Sequence, residues 1–408
     1  MLFRVLLLLA SAVGFTCPLL NARIIQVPGN YSTIQSAINA SIIGDTVLVQ
    51  AGTYLENIDF RGKKITVASQ FIINHNPDII QQTIIDGGMP TKPDSGSVVR
   101  FISREDSSSV LCGFTLRNGI GTLVPGSFAG GGILVANSSG PTIRYNIIRN
   151  NSALFGAGIA IRNSMPNIEN NALTHNSAQD GAAIWMENSS VRINHNVIFS
   201  NNAEGAGGAI CLRNSFAWIS NSSVTNNSSP VCGGIFCAGG IWEVANCNFY
   251  QNQSCNFFGC GGPDLGDNSK SKNFNLDSAD IYSNIMKEPG YTNSPTNDFR
   301  LRCDSRLIDA GKLLPKNYPE GGAREDIGMF EFQYRVGDLT GDNRINLADA
   351  TSLINVVFLG TPIGCPLYPD DCDCNRRINV TDIVAIINYW SGYGEISSCL
   401  FTPTSSSK

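Results

Sequence analysis

The sequence predicts an all-β chain, a solenoid of stacked parallel strands, followed by a small α-helical module built on calcium loops. Three observations lead there. Apolar residues recur at one shared period through the middle of the chain. The 41 Gly, many Asn and 9% aromatics are those of a turn-rich β protein. Near the C-terminus, short oxygen-bearing side chains recur at alternate positions in two loops. With 408 residues and 42% of them hydrophobic, the chain can form two or three domains and a sizeable core. The net charge of −5 and a pI near 5.3 exclude the basic stripe that a nucleic-acid partner requires.

At the N-terminus, Arg4 precedes an apolar run, Val5 to Leu9, that continues through small residues. This predicts a secretory signal over residues 1–22, with cleavage after Ala22. No later segment is apolar for long enough to cross a bilayer, so a secreted protein without membrane insertion is expected. Losing Cys17 with the signal leaves 13 − 1 = 12 cysteines, an even number in a disulfide-permitting compartment. Cys232, Cys237, Cys247, Cys255 and Cys260 crowd one stretch, and structural disulfides are the expectation.

From Tyr31 to Ile43, Ile34, Ala37 and Ile38 fall at helical spacing, which suits an amphipathic cap over the open end of a solenoid. Thr46-Val47-Leu48-Val49, Ile65-Thr66-Val67, Thr83-Ile84-Ile85 and Val110-Leu111-Cys112 then read as strands. The repeat proper follows. Ile133, Ile159, Ile184, Ile210 and Ile235 are 26, 25, 26 and 25 residues apart by subtraction. A second row, Ile143, Ile168, Ile193, Ile219 and Val244, keeps step, and so does a third: Ile148, Leu173, Ile198, Val224 and Phe249. Three apolar rows at one period mean stacked coils of three strands each, about 4.8 Å apart. Asn150-Asn151, Asn170-Asn171, Asn201-Asn202 and Asn226-Asn227 supply the corners, because Asn tolerates the left-handed backbone and its side chain can bond from coil to coil.

Tyr31 to Ile38, Gly44 to Val49 and Gly52 to Ile58 resemble the opening of secreted right-handed parallel β-helix proteins of the pectin-lyase-like class. Phe299-Arg300-Leu301, Leu307 to Gly311 and Asp326 to Glu331 are similar to their closing segment. The resemblance implies a β-helix domain over residues 23–335 and places the chain among proteins that act on polysaccharide, although one scaffold hosts many functions.

Beyond Tyr334 the pattern changes. Asp338, Thr340, Asp342, Arg344, Asn346 and Asp349 occupy positions 1, 3, 5, 7, 9 and 12 of a twelve-residue loop. Asp371, Asp373, Asn375, Arg377, Asn379 and Asp382 repeat the register, offset by 371 − 338 = 33. Such oxygens can wrap a hard cation, with the seventh residue offering its backbone carbonyl, and calcium is the expected cofactor. Each loop leads into a helical segment. The duplicated unit, residues 336–392, resembles type I dockerin, which implies a cohesin-like scaffold as partner; residues 393–408 are a tail.

On the solenoid, no acid–histidine signature of a polygalacturonase stands in the sequence, and no nucleophile is nominated. If the chain is an enzyme, it is a polysaccharide lyase or a glycoside hydrolase. Asp180 and Glu204 precede successive strand starts and form either an acid pair across coils or surface charge. The three histidines read as turn or solvent residues, with His175 aligned to Arg149 and His195 to Tyr145. An outward row runs through Leu134, Ala160, Trp185, Cys211 and Phe236, with Trp218 on the next strand. Trp185 and Phe236 are the candidate carbohydrate-binding residues, since aromatic faces stack on sugar rings; loops covering them would leave no such surface. Two functions stand: a secreted calcium-binding protein that binds or helps degrade polysaccharide, and a non-catalytic structural or adhesive protein.

Overall fold

The computed structural model describes residues 22–240, 242–314, 324–332, 336–340, 344–360, 372 and 377–396; the expected signal therefore lies outside the described residues save Ala22. The coils are there, and each central coil visits four sheets. Sheet I holds Ile133–Val135, Ile159–Arg162, Ile184–Glu187, Ile210–Arg213 and Ile235–Ala238 among its eight strands. Sheet II, of nine strands, holds Thr142–Arg144, Asn167–Glu169, Ser190–Asn194 and Phe216–Ser220. Sheet III, of eight, holds Ile147–Arg149, Ala172–Thr174, Val197–Phe199 and Ser223–Thr225. Successive coils pair in parallel and in register, as Ile168↔Ile193↔Ile219.

All three apolar rows point inward and are buried, none of them more than 2% exposed. The expected count of three strands per coil is corrected by sheet IV, whose six strands include Ser152–Phe155, Ser177–Asp180 and Asn202–Ala203. Its inner column is alanine, with Ala178 and Ala203 buried and Ala153 partly so. Alanines bury little area, so no strong apolar row announces this face.

The corners follow a two-residue rule. In Asn150-Asn151, Asn170-Asn171 and Asn226-Asn227 the first Asn takes the left-handed backbone, at φ 54°, 55° and 57°. The second turns inward and bonds to the next coil. Asn151, Asn176, Asn201, Asn227 and Asn252 form one such ladder, each Nδ2 donating to the next Oδ1 at 3.0 Å. Asn146, Asn171 and Asn196 form another at 3.1 Å. A third corner stacks Ser139, Ser164, Ser189 and Ser215, each hydroxyl accepting from the backbone amide of the serine one coil before. At Asn201-Asn202 the left-handed residue is Ser200, and Asn202 already begins a strand.

The cap is helix α1, Ile34–Ala40, with Thr33 as N-cap and Ile34, Ala37 and Ile38 buried. The Glu56 carboxylate accepts from the first-turn amides of Ile34 and Gln35 at 2.8 and 2.9 Å, where the helix dipole favours negative charge. Two short helices, α2 (Phe71–Asn74) and α3 (Asp78–Gln82), lie beside sheet III and bury Phe71 and Ile80 against Ile147, Ala172 and Val197. The far coils are clipped by disulfides Cys232–Cys255 and Cys237–Cys260, each spanning 23 residues, about one coil. Cys112, Cys211 and Cys247 depart from the all-disulfide expectation: they are buried thiols within the stack. Burial raises them to about 11, 11 and 12.

Helices α4 (Leu347–Leu359) and α5 (Val380–Trp390) pack on each other through Ala350, Leu353, Ile383 and Ile386, with Leu339 and Cys372 beneath. Among the described residues, no helix is long and apolar enough to cross a membrane.

Candidate functional site

The outward row of sheet I is where the sequence places carbohydrate contact. Trp185 does face away from the solenoid interior, yet it is only 5% exposed. Phe155 from sheet IV stacks on it, ring centroids 5.0 Å apart and 21° between planes. Ala129, Leu134, Ala160 and Cys211 complete the cluster. The chain turns sharply at Gly181 (φ +60°), and a Cβ there would sit 2.9 Å from that of Trp185. Trp185 as an open sugar platform is thus corrected: the return from sheet IV folds over it. Phe236, two coils along, is half-buried and stacks on Phe258, centroids 5.4 Å apart and 8° between planes. Phe258 is half exposed, as are Phe216 and Trp218 on sheet II.

Asp180 does not form an acid pair with Glu204. Its carboxylate takes Arg213 Nη2 at 2.7 Å and the Ala206 amide at 2.9 Å, a neutralised structural pair. Each histidine sits in a left-handed turn, at φ 53°. His175 falls one place beyond Arg149, whose strand partner is Thr174. His195 and Asn221 occupy successive left-handed corners between sheets II and III, and both meet the closing segment. His195 Nε2 lies 3.4 Å from Glu325 Oε2, and Asn221 Nδ2 donates to the same oxygen at 2.5 Å. Asn170, one coil earlier, donates to the Met329 carbonyl at 2.9 Å. Three corner side chains therefore strap residues 324–332 onto the stack.

The strap carries a carboxylate cluster that the sequence reading missed. Asp326 accepts from the Asp309 and Phe332 amides at 2.7 and 2.5 Å. Burial, then the nearby Glu331 charge, pushes it from 3.8 up to about 8. Burial also raises Glu331 and Asp309, whereas hydrogen bonding to His195 lowers Glu325.

The C-terminal loops place part of their expected ligand set. Asp338 and Asp349 are buried, and Thr340 Oγ1 lies 3.5 Å from Asp338 Oδ1 and 2.9 Å from Asp349 Oδ1. Positions 1, 3 and 12 of the first loop thus converge as oxygens alone, a donor set that fits a hard cation. Asp349 and Asp382 also act as the third residue of a capping box, with Asn346 and Asn379 as N-caps. The repeat holds in detail. The N-cap amide donates to the Asp at 2.8 Å in one unit and 2.9 Å in the other, and the N-cap Nδ2 sits 3.4 and 3.3 Å from the carbonyls of Arg344 and Arg377. Asp342, Asp371, Asp373 and Asn375 lie outside the described residues, and among the described residues no group of three or more His, Cys, Asp or Glu is placed to hold a metal ion.

Residues 112–254 match the family model described as the right handed beta helix region. The solenoid is a right-handed parallel β-helix. The crystal structure of pectate lyase Pel9A is similar over 76% of this chain and 96% of that chain, at 16% identity and a TM-score of 0.34, values that carry no chemistry across. No match was found among curated proteins.

In the β-helix, the signal that could have found the strap is the corner register itself. His195 takes the left-handed place that Asn170 and Asn221 hold in neighbouring coils, and all three polar side chains of that column reach the closing segment.

Proposed function

We propose that this chain is an extracellular, calcium-binding β-helix protein that binds or helps degrade polysaccharide and is held in a larger assembly through its C-terminal module. The observation that carries the reading is the duplication at residues 336–392: two capping-box helices 33 residues apart, each with a wholly buried Asp at the twelfth loop position. Asp338, Thr340 and Asp349 would hold calcium in the first loop, and Asp382 in the second. Bound calcium would supply the positive charge that lets clustered carboxylates pack, making metal binding part of folding. Exposed apolar residues repeat with the same offset, Leu347 with Val380 and Ile354 with Ile387, which supports docking onto a cohesin-like partner. The two disulfides support an oxidising compartment, and half-exposed Trp218, Phe216 and Phe258 support contact with sugar rings.

Calorimetric titration of the full chain with calcium, before and after chelation, tests the metal; two binding events are expected, with one lost in Asp349→Ala. No heat of binding and no change on chelation overturns it. Retention and product release on a polysaccharide panel test the rest. A second reading, a non-catalytic structural or adhesive protein, is favoured by the engagement of Asp180 with Arg213 and the Ala206 amide, which breaks up the acid pair with Glu204. Reducing-sugar or unsaturated-uronide release would exclude it.

A further inference from the structure

One outward row of sheet II ends in four side chains with planar polar or aromatic groups. Direct strand pairing runs it from Asn167 through Arg192 and Trp218 to Glu243, one residue per coil. Neighbouring coils lie about 4.8 Å apart, so these four residues form a strip about 14 Å long. On the central strand burial alternates: Phe216 and Trp218 face outward, each nearly half exposed, while Ala217 and Ile219 are buried. Two residues along a strand span about 7 Å, which sets the two rings side by side as one platform.

Charge is arranged on this strip as it is on neither neighbouring sheet. On sheet I, Arg162 pairs with Glu187 of the next coil at 2.8 Å. On sheet III, Arg117 pairs with Asp86 of the adjacent coil at 2.8 Å. On sheet II, Trp218 stands between Arg192 and Glu243 and holds their backbones about 10 Å apart. Both charged side chains are exposed, and among the described residues no ion pair or side-chain hydrogen bond engages either of them or the Asn167 amide. A guanidinium can donate to a pair of hydroxyls, a carboxylate can accept from a pair, and an amide can do both. The indole between them offers a face to the apolar C–H side of a sugar ring. The two charges cancel, so the strip has no net field to draw in a polyanion, and Glu243 repels one. Nor is the surface large enough for a protein partner: two half-exposed rings offer roughly 200 Å² of apolar area, against about 800 Å² a side in a stable interface.

We infer that the strip from Asn167 to Glu243, with Phe216 beside it, binds an uncharged polysaccharide. One sugar ring stacks on Trp218, Arg192 and Glu243 hold hydroxyls on either side of it, and the glycan runs along the stack toward Asn167. Resting on the polysaccharide reading, this narrows the substrate class to neutral glycans and places their contact on sheet II, away from the covered Trp185 on sheet I.

The test is calorimetric titration of the full calcium-loaded chain with four soluble polymers: hydroxyethylcellulose, arabinoxylan, galactomannan and carboxymethylcellulose, the last carrying charge on the backbone of the first. The expected result is binding to at least one neutral polymer, tighter than to carboxymethylcellulose and unchanged between 0.05 and 0.5 M salt, since no net charge is matched. Trp218→Ala should weaken it about tenfold and Trp218→Phe should restore part of the loss. Arg192→Gln and Glu243→Gln should each weaken it about threefold, whereas Arg61→Gln, which removes an exposed charge elsewhere, should bind like the parent. All variants should melt alike. Equal binding of Trp218→Ala and the parent to every neutral polymer, or a parent that prefers carboxymethylcellulose, overturns the site and leaves the polysaccharide reading standing. A parent that sediments as a dimer, and as a monomer in Trp218→Ala, also overturns it, because a second copy would then occupy the strip. Failure of the parent to bind any of the four overturns both.

Discussion

The β-helix and the C-terminal module answer one question in opposite ways: where do buried polar groups find their partners? In the β-helix each coil supplies them to the next. Asn171 donates from Nδ2 to the Ile143 carbonyl, the Glu169 carbonyl and Asn196 Oδ1, and its own Oδ1 accepts from Asn146. The polar interior is closed, neutral and repeated. In the module, Asp349 and Asp382 are wholly buried and Asp338 nearly so, all of them carboxylates, beside a core that counts six buried apolar residues among the described ones. Repetition stabilises the first region; in the second, Asp349 accepts from the Thr340 and Asn346 amides and Asp382 from the Cys372 and Asn379 amides, and a cation is the further partner proposed for their charge. Four substitutions and a chelator separate the two.

The largest effect is expected at Ile193, wholly buried between Ile168 and Ile219. Ile193→Asp places an unpaired charge in the stack, at a cost of roughly 5 kcal/mol or more, and should abolish cooperative unfolding of the β-helix. Asn188→Ala, in an exposed left-handed corner at φ 48°, should cost only about 1 kcal/mol. An Ile193→Asp protein that melts like the parent would refute the register.

Chelation comes next, and it should act on the module alone. Calcium at a hundred times its dissociation constant contributes about 2.7 kcal/mol per site. Removing it should lower the module's transition in a calorimetric scan and leave the β-helix transition in place. Asp349→Ala should reproduce that loss and blunt the response to added calcium. A single transition, indifferent to chelator, would mean that the loops are not metal sites.

Below that lies one rung of a ladder. Asn196→Ala removes donors to the Ile168 and Asn194 carbonyls and the acceptor for Asn171, at about 2 to 3 kcal/mol by urea unfolding. An indifferent outcome would move the ladder's role from stability to register.

How much of this was legible differs between the regions for a physical reason. A row of Ile residues at one period is written in residue types, so the core, the cap helix α1 and the Asn-Asn corners at 150–151, 170–171 and 226–227 could be read from spacing, whereas at 201–202 the corner begins one residue earlier, at Ser200. Sheet IV could not, because its buried column is alanine. The cover over Trp185 could not either: outward direction follows from alternation, but whether Phe155 stacks there depends on how the chain returns past Gly181. The strap was half legible, its segment read as a closing motif while its contacts with His195 and Asn221 span about a hundred residues or more, beyond any local pattern.

The strap gives a gentler test, through pH. Asp326 is raised from 3.8 to about 8 when folded, so between those values the native state holds a proton that the unfolded chain has released. Its contribution is complete at the acid end, and it is lost as pH rises toward 8. Glu331 and Asp309 act in the same sense; Glu325, lowered by His195, acts oppositely and weakens the strap as pH falls. The net expectation is a melting temperature that declines from about pH 5 to pH 8, with a flatter profile in Asp326→Asn. A rising profile in the parent would reverse the assignment.

The smallest effect on stability, and the sharpest on function, is expected at Trp218. It is 48% exposed on sheet II, with Arg192 and Glu243 as its strand partners in the coils before and behind. Trp218→Ala removes no core contact and should leave the melting temperature within about a degree, since surface changes of this kind stay near ±0.5 kcal/mol. Trp185→Ala is the counterpart. Under Phe155, the loss of that ring should cost about 3 kcal/mol and leave an orphaned cover. If sugar rings stack on this protein, Trp218→Ala should weaken retention on a polysaccharide matrix at unchanged stability. Trp185→Ala should weaken it only in proportion to the fraction unfolded, measured by pulse proteolysis of the same samples. Retention lost in Trp185→Ala while the protein stays folded, and kept in Trp218→Ala, would return the binding surface to sheet I and mean that the Phe155 cover opens to admit the ligand.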